Sequence, residues 1–410
     1  MSGREFFSAL TVAEALAGFQ PGRRTAVESV AREDLLHRVP AADVLALHAL
    51  PGFARATVDG YAVRAADTYG ASDGLPAYLD VVGAVRMGRA PQAAVPPRGA
   101  VAIPTGAGIP DGADAVVMVE YTAETIPGTI EVTRPVAPGG GLVRADEDVA
   151  RGGLLVPAGR PLRAPDLGLL ASAGVRAVDV HARPRVAILS TGDEVVPPDT
   201  ADLMVGQVRD ATASALAGLI RDAGGDPVFW GIVPDERDLL IAALRTALID
   251  ADLVVISAGS SVGSRDETAT AVAELGEIWC HGLAIKPGKP TILAACGGVP
   301  LIGLPGNPLS ALVVFRLVGV PLVWRLAGCG TPPAQPNTRA RLSRNVASQA
   351  GRLDVVQVRV IDEAGGRRAE PLHGPSALLS VLARADGCVL IPEPATGLDG
   401  GAEVEVLLYA

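Results

Sequence analysis

Aromatic side chains are scarce, at 3% of the 410 residues, so packing has to rest on Ala, Val, Leu and Ile. Positive charge is also short. The formal net charge is -10 and the pI is near 5.1. A nucleic-acid binder needs a basic surface to displace condensed counterions, so this balance argues against nucleic acid as a partner. It leaves room for a local basic pocket that takes an anionic small molecule. There are four cysteines, Cys280, Cys296, Cys329 and Cys388, and none forms a CxxC pair. His281 beside Cys280 has no further ligand at zinc-finger spacing. Buried free thiols are expected, which suits a reducing cytoplasm. The first sixteen residues carry Glu5 and Glu14 and no long apolar core, unlike a signal peptide. The most apolar stretch, 311–326, is broken by Arg316 and Pro321 and reads as a buried helix rather than a membrane span. The expected setting is cytoplasmic, with no membrane partner.

The chain is too long for one core and should divide into two to four domains. Nearly half its residues are apolar, and 48 Gly and 33 Pro imply many turns and short elements. That mixture points to an α/β or α+β protein rather than a helical bundle. Thr11 and Glu14 make a capping-box pattern that opens a helix ending near Gly18. Helical spacing recurs over 27–37 and over 154–180, the latter with Pro165 and Asp166 near a helix start. Between them, short β-branched runs at 78–82, 115–119 and 129–132 alternate with Gly/Pro turns, as in a small β-rich domain.

From Arg185 the pattern changes. Strands are expected at 186–190, 227–232, 253–257, 291–294 and 301–304, alternating with helices at 214–223, 235–249, 269–275 and 309–326. Such alternation is the signature of a doubly wound, mostly parallel sheet. A Pro-rich linker, 331–337, leads to strands at 353–360, 388–391 and 404–408, read as a small β domain.

Lysine is the most informative scarcity. Against 33 arginines the chain has two lysines, Lys286 and Lys289, three positions apart in IKPGKP at 285–290. A compact ammonium kept only here marks a place where a planar guanidinium does not substitute. The intervening Pro-Gly makes a tight turn that lets backbone approach a ligand. The pattern reads as a clamp for phosphate or another oxyanion.

Three strand-end loops accompany the clamp. Ser190, Thr191, Gly192 and Glu194 follow the first strand of the parallel sheet. Ser260, Ser261, Gly263 and Asp266 follow the third, and Pro305, Gly306, Asn307 and Pro308 precede the last helix. Ligands of open α/β sheets bind at the carboxyl ends of strands, where Gly admits close backbone approach and helix N-termini offer free N–H groups. Glu194 and Asp266 beside anion-binding loops suggest Mg²⁺, which prefers carboxylate and phosphate oxygens. Asp235 is a third acid or a helix cap. The turns at 57–63 and 104–107 read as polar loops against apolar strands. His37, His48, His181 and His373 show no partner spacing, and 374–377 reads as a helix start.

VDGYAV at 58–63, PTGA at 104–107, STGDE at 190–194, SSVGSRD at 260–266, AIKPGKP at 284–290 and GLPGNPLSA at 303–311 resemble the MoeA family of molybdopterin molybdenumtransferases, whose animal relative is the gephyrin E domain. Order and spacing match, and the likeness spans almost the whole chain. It implies an elongated, multidomain α/β subunit with β-rich accessory domains. A discontinuous helical domain (1–48 and 147–182) would carry an inserted β-rich domain (49–146). A doubly wound α/β domain (183–330) and a C-terminal β-barrel-like domain (331–410) would follow.

The resemblance also implies a homodimer that brings the β-rich domain of one subunit toward the sheet domain of the other. The implied reaction inserts molybdenum from molybdate into adenylylated molybdopterin with Mg²⁺ and releases AMP. A transient contact with the molybdopterin adenylyltransferase is implied too. Residue by residue, Asp59, Thr105, Asp148, Glu194, Asp235 and Asp266 fall to the acidic site, with Glu194 and Asp266 as metal ligands. Lys286, Lys289 and Ser376 bind anions, and Gly306, Asn307 and Pro308 shape the nucleotide loop.

Three positions depart from the family. Gly282 stands where a basic residue is frequent, Gln357 where arginine is common, and Asp146 in place of a usual glycine. The first two thin the positive lining of the pocket. Alternatives are a related pterin-nucleotide enzyme that prefers tungstate, a generic nucleotide-binding module, and a non-enzymatic dimeric scaffold.

Overall fold

The computed structural model describes residues 9–20, 23–257 and 264–409, with the side chains of 264–266 excepted. At its centre is a six-stranded sheet in the order Asp226–Val233, Arg185–Thr191, Leu253–Ser257, Val299–Leu304, Ile292–Cys296, Glu277–His281. The first four strands are parallel and the last two antiparallel. Leu253–Ser257 and Val299–Leu304 are buried at every position because helices cover both faces. Successive side chains alternate between two cores. Val186, Ile188 and Val255 pack with helix Ala211–Asp222 and the helical run 308–326, while Ala187, Leu189 and Val254 pack under helix Arg237–Asp250.

The run 308–326 matches the helix expected at 309–326 to within one residue, but it is not uniform. It is α-helical over Pro308–Val314, π-helical over Phe315–Gly319 and α-helical again over Val320–Leu326. Pro321 lacks an N–H, and a local wide turn is one way to absorb the lost bond. By length and apolarity this run could cross a membrane, but 72% of its apolar window is buried inside the protein.

The N-terminal part is less helical than its periodicity predicts. Residues 27–31 form a strand, Val27–Ala31, paired antiparallel with Ala177–His181. Only Ala164–Ser172 of the 154–180 stretch is helix, and Leu154–Val156 pairs with Val44–Leu45. Long-range pairing overrides local periodicity at both places. Between them lies a six-stranded mixed sheet that includes Gly60–Val63, Ala77–Ala84, Gly99–Ile103, Ala115–Met118 and Thr129–Val132.

At the C-terminus, Leu353–Glu363, Gly366–Pro371, Asn337–Leu342, Glu403–Leu408 and Gly387–Ile391 close into a five-stranded barrel, the last strand pairing back with the first. Asn337–Leu342 and Gly366–Pro371 escaped the sequence reading because their outward positions are arginine-rich. Strand Ile285–Lys286 extends this barrel, in parallel register with Leu353 and Asp354. The lysine turn of the central sheet is thereby stitched to the barrel.

Candidate active site at the seam of sheet and barrel

The chain supplies four strand ends on one edge of the central sheet, at Thr191, Val233, Ser257 and Leu304. Ile292 lies opposite Gly303, so the turn joining Glu277–His281 to Ile292–Cys296 emerges on that same edge. This turn carries both lysines. A cavity of about 970 Å³ opens there against the barrel, and its wall includes Lys286, Lys289, Pro305, Asn307, Arg352 and Ser376.

Local sequence explains the turn. Gly288 has φ +124°, and a Cβ there would lie 2.3 Å from Val314 Cγ2, so only glycine lets the turn rest on the long helix. Thr291 Oγ1 donates to the Gly288 carbonyl at 2.7 Å, and Leu283 N donates to the Lys289 carbonyl at 2.9 Å. Both lysines are exposed, and neither ammonium has an ion pair among the described residues. Across the cavity, Leu309 N donates to the Ser376 carbonyl at 3.2 Å, which ties the 374–377 loop to the helix start after Asn307. Residues 374–377 precede the short helix Leu379–Ala383.

Sequence reasoning did not single out Arg352 and Asp354. Arg352 Nε donates to Asp354 Oδ1 at 2.8 Å, and Asp354 is 4% exposed beside Lys286 in the ladder. The carboxylate holds a third cation at the cavity wall. His373 also lines the cavity. No local signal marks these residues, because they join Lys286 only through barrel closure and strand addition.

The acids form a second locus. Asp235 N donates to Asp193 Oδ1 at 3.2 Å, bringing together the loops after Arg185–Thr191 and Asp226–Val233. Burial first, then the charges of Asp193 and Glu194, push the Asp235 carboxyl above its ordinary range, partly offset by a Thr191 hydrogen bond. Glu236, not Asp235, is the N-cap residue of the next helix. Ser190 is 2% exposed, and its hydroxyl donates to Asp210 Oδ2 at 2.6 Å. Asp210 in turn caps helix Ala211–Asp222 through Ala213 N. Gly192, with φ +138°, turns the chain so that Glu194 folds back over it.

Asp266 lies in the first turn of helix Ser264–Leu275, with its side chain outside the described set. Ser260, Ser261 and Gly263 lie outside the described residues. Among those described, no three carboxylate, His or Cys side chains converge as a metal-ligand group. Asp193 and Glu194 lie near enough to act on the charge of Asp235, but the three do not close into a ligand group.

A third locus lies on the β-rich sheet. Asp59 Oδ1 accepts from Thr105 N at 2.8 Å, so the two turns are one structure. Gly60 is obligatory beside it, since a Cβ would fall 1.8 Å from the Val117 carbonyl oxygen. Asp148 is exposed, and its N donates to the Leu50 carbonyl at 3.0 Å. No hydrogen bond or ion pair links these three residues to the lysine cavity among the described residues.

Two departures have a backbone reason. Gly282 has φ +113°, which side chains rarely adopt. Asp146 has φ +61°, a conformation glycine takes freely and Asp tolerates.

Profile comparison matches residues 10–174 to the MoeA N-terminal region (domain I and II), 187–325 to a probable molybdopterin binding domain, and 339–409 to the MoeA C-terminal region (domain IV). The chain is 32% identical to the molybdopterin molybdenumtransferase of Bacillus subtilis, covering 93% of this chain and 89% of that one. It is 33% identical to a putative molybdopterin biosynthesis protein of Methanocaldococcus jannaschii, covering 93% and 92%. A molybdopterin biosynthesis MoeA crystal structure from Pyrococcus horikoshii superimposes with a TM-score of 0.78 at 38% identity, covering 98% of this chain and 99% of the other. With sheet, barrel and lysine cavity arranged as above, the chain belongs to the MoeA family of molybdopterin molybdenumtransferases, enzymes of molybdenum-cofactor biosynthesis.

Proposed function

We propose that this enzyme inserts molybdenum from molybdate into adenylylated molybdopterin and releases AMP. The observation that carries this reading is the cavity in which Lys286, Lys289, Arg352 and Ser376 meet the 305–308 loop. A pterin bearing a phosphate-linked nucleotide needs both length and positive charge, and the cavity offers both. Two ammonium groups and a guanidinium oppose the anionic linkage, and the helix start after Asn307 adds backbone N–H groups. Molybdate, a tetrahedral dianion, is drawn to the same field.

In this reading Glu194 and Asp266 are the carboxylates that would hold Mg²⁺, and Asp235, close to Glu194, is a third acid outside the ligand set. The ion would supply neutralising charge for the phosphate and oxyanion oxygens. Asp235, whose carboxyl is raised first by burial, is suited to hold and release a proton. Asp59 and Thr105 are joined to each other and, like Asp148, have no bond to the cavity among the described residues of one subunit, which supports a homodimer whose partner subunit brings them to it. The division into domains at 1–48/147–182, 49–146, 183–330 and 331–410, the transient contact with the adenylyltransferase, and the cytoplasmic setting belong to this same reading.

The test is incubation of purified protein with adenylylated molybdopterin, molybdate and Mg²⁺, following AMP and pterin-bound molybdenum together. Both should rise in step. Asp59→Ala and Asp266→Ala should bind the adenylate and release no AMP. AMP release without metal incorporation, or normal turnover in both variants, refutes the proposal.

A further inference from the structure

Gln357, on strand Leu353–Glu363, is 3% exposed and belongs to the wall of the lysine cavity. Its Oε1 accepts from the Tyr409 hydroxyl at 2.5 Å, while its Nε2 is buried and makes no hydrogen bond. Tyr409 is held from the other side by the Arg316 guanidinium, 4.2 Å from the ring centroid. Burial first, then the neighbouring Cys388 thiol, push the Tyr409 hydroxyl far above its ordinary range. The geometry places the amide with Oε1 toward Tyr409 and the N–H groups left over.

Native proteins leave few buried donors unpaired, and each needs a reason. The cost in the folding equilibrium is about ten- to a hundredfold. A ligand acceptor that meets the donor recovers it. The charged end of the cavity is already supplied by Lys286, Lys289 and Arg352. Beside Gln357 the wall offers Val355, two places along the strand, and Leu372, whose N donates to the Gln357 carbonyl at 2.8 Å, with His373 following it. Setting a phosphate against that surface would strip its water for one neutral amide, which is unfavourable. An uncharged carbonyl oxygen or ring nitrogen suits the place.

We propose that Gln357 is a specificity-determining residue of this cavity, its amide N–H donating to an uncharged acceptor on the ring system of the bound pterin nucleotide, with Tyr409 and Arg316 as positioning residues. This rests on the reading of the cavity as the pterin-nucleotide site. Because Nε2 is closed to water, the ligand parts the wall as it enters, and the unmet donor favours that opening.

The experiment is titration calorimetry with adenylylated molybdopterin and, separately, pyrophosphate, alongside thermal melting of each free protein. Gln357→Leu combined with Tyr409→Phe removes both hydrogen-bonding partners at similar volume. It should melt no lower than the parent, bind adenylylated molybdopterin about tenfold more weakly and bind pyrophosphate unchanged. Gln357→Glu keeps an acceptor for Tyr409 and removes the N–H donor, and it should weaken adenylylated molybdopterin by at least as much. Lys286→Ala should weaken both ligands. Parental affinity for adenylylated molybdopterin in both Gln357 variants, with Lys286→Ala impaired, overturns this inference and leaves the site reading standing. Lys286→Ala binding both ligands like the parent overturns the site reading and this inference with it.

Discussion

Removing either lysine should weaken substrate binding in a way that salt can expose. Two opposite unit charges 4 Å apart attract by about 1 kcal/mol in water and about 4 kcal/mol at an effective dielectric of ~20. Both side chains are exposed, which favours the lower part of that range, while loss of a hydrogen bond to a charged group costs roughly 1.5–3 kcal/mol. Lys286→Ala or Lys289→Ala should therefore cost about 1.5–2.5 kcal/mol, on the order of 10- to 70-fold in affinity. The double variant should lose less than the sum, because the two groups share one ligand. The two arginine replacements should differ. Lys286 stands beside Asp354, which already holds Arg352, so a guanidinium there competes for the same carboxylate. Lys289→Arg has no such neighbour and should recover more.

The assay is calorimetric titration of adenylylated molybdopterin at about 0.05 M and about 0.5 M salt, between which the screening length shortens from more than 10 Å to a few ångströms. Parental affinity should fall with salt more steeply than that of the alanine variants. Alanine variants that bind within twofold of the parent at low salt, or a loss independent of salt, would refute the clamp.

Two further predictions concern stability. Asp235 has a raised carboxyl in the folded protein, so its ionisation above the ordinary Asp range opposes folding. Asp235→Asn should raise the melting temperature at pH 7 and leave it nearly unchanged near pH 3, where the parent's carboxyl is mostly protonated in both the folded and the unfolded chain. Thermal melting at the two pH values decides it, and a lower melting temperature at pH 7 counts against the crowded-acid picture. Asp166 is the opposite case. Hydrogen bonds from Arg160 first, outweighing burial, hold its carboxyl far below the ordinary range. Its contribution is full above that range and is lost progressively as pH falls from there toward the lowered value. Arg160 contacts both oxygens at 2.7 Å but is 31% exposed, so Asp166→Asn should cost about 1–2 kcal/mol at pH 7 and less in acid, by urea unfolding. An equal cost at both pH values contradicts the assignment.

Much of the central sheet was legible in the chain alone. Strands such as Leu253–Ser257 are short, uninterrupted, β-branched apolar runs because both faces are covered, and their length sets them apart from the buried helix at 308–326. Helix ends were legible where a side chain caps them, as Thr11 does. Elements whose pairing partner is remote were harder. Residues 27–31 carry a helix-like spacing, yet backbone pairing with Ala177–His181 makes them a strand. The arginine-rich barrel strands have outward positions that say nothing of the inward ones.

Sequence by itself determined the chemistry available at the site, because scarcity is a property of composition: two lysines in one turn, carboxylates after strands, glycine where no Cβ fits. Only the tertiary structure decided which of these groups share a cavity. Lys286 meets Arg352, Asp354 and Gln357 because a two-residue strand of the central domain joins the edge of a distant barrel. Hydrogen bonds of that kind connect main-chain groups, which every sequence has, and so leave no trace in the side chains they bring together.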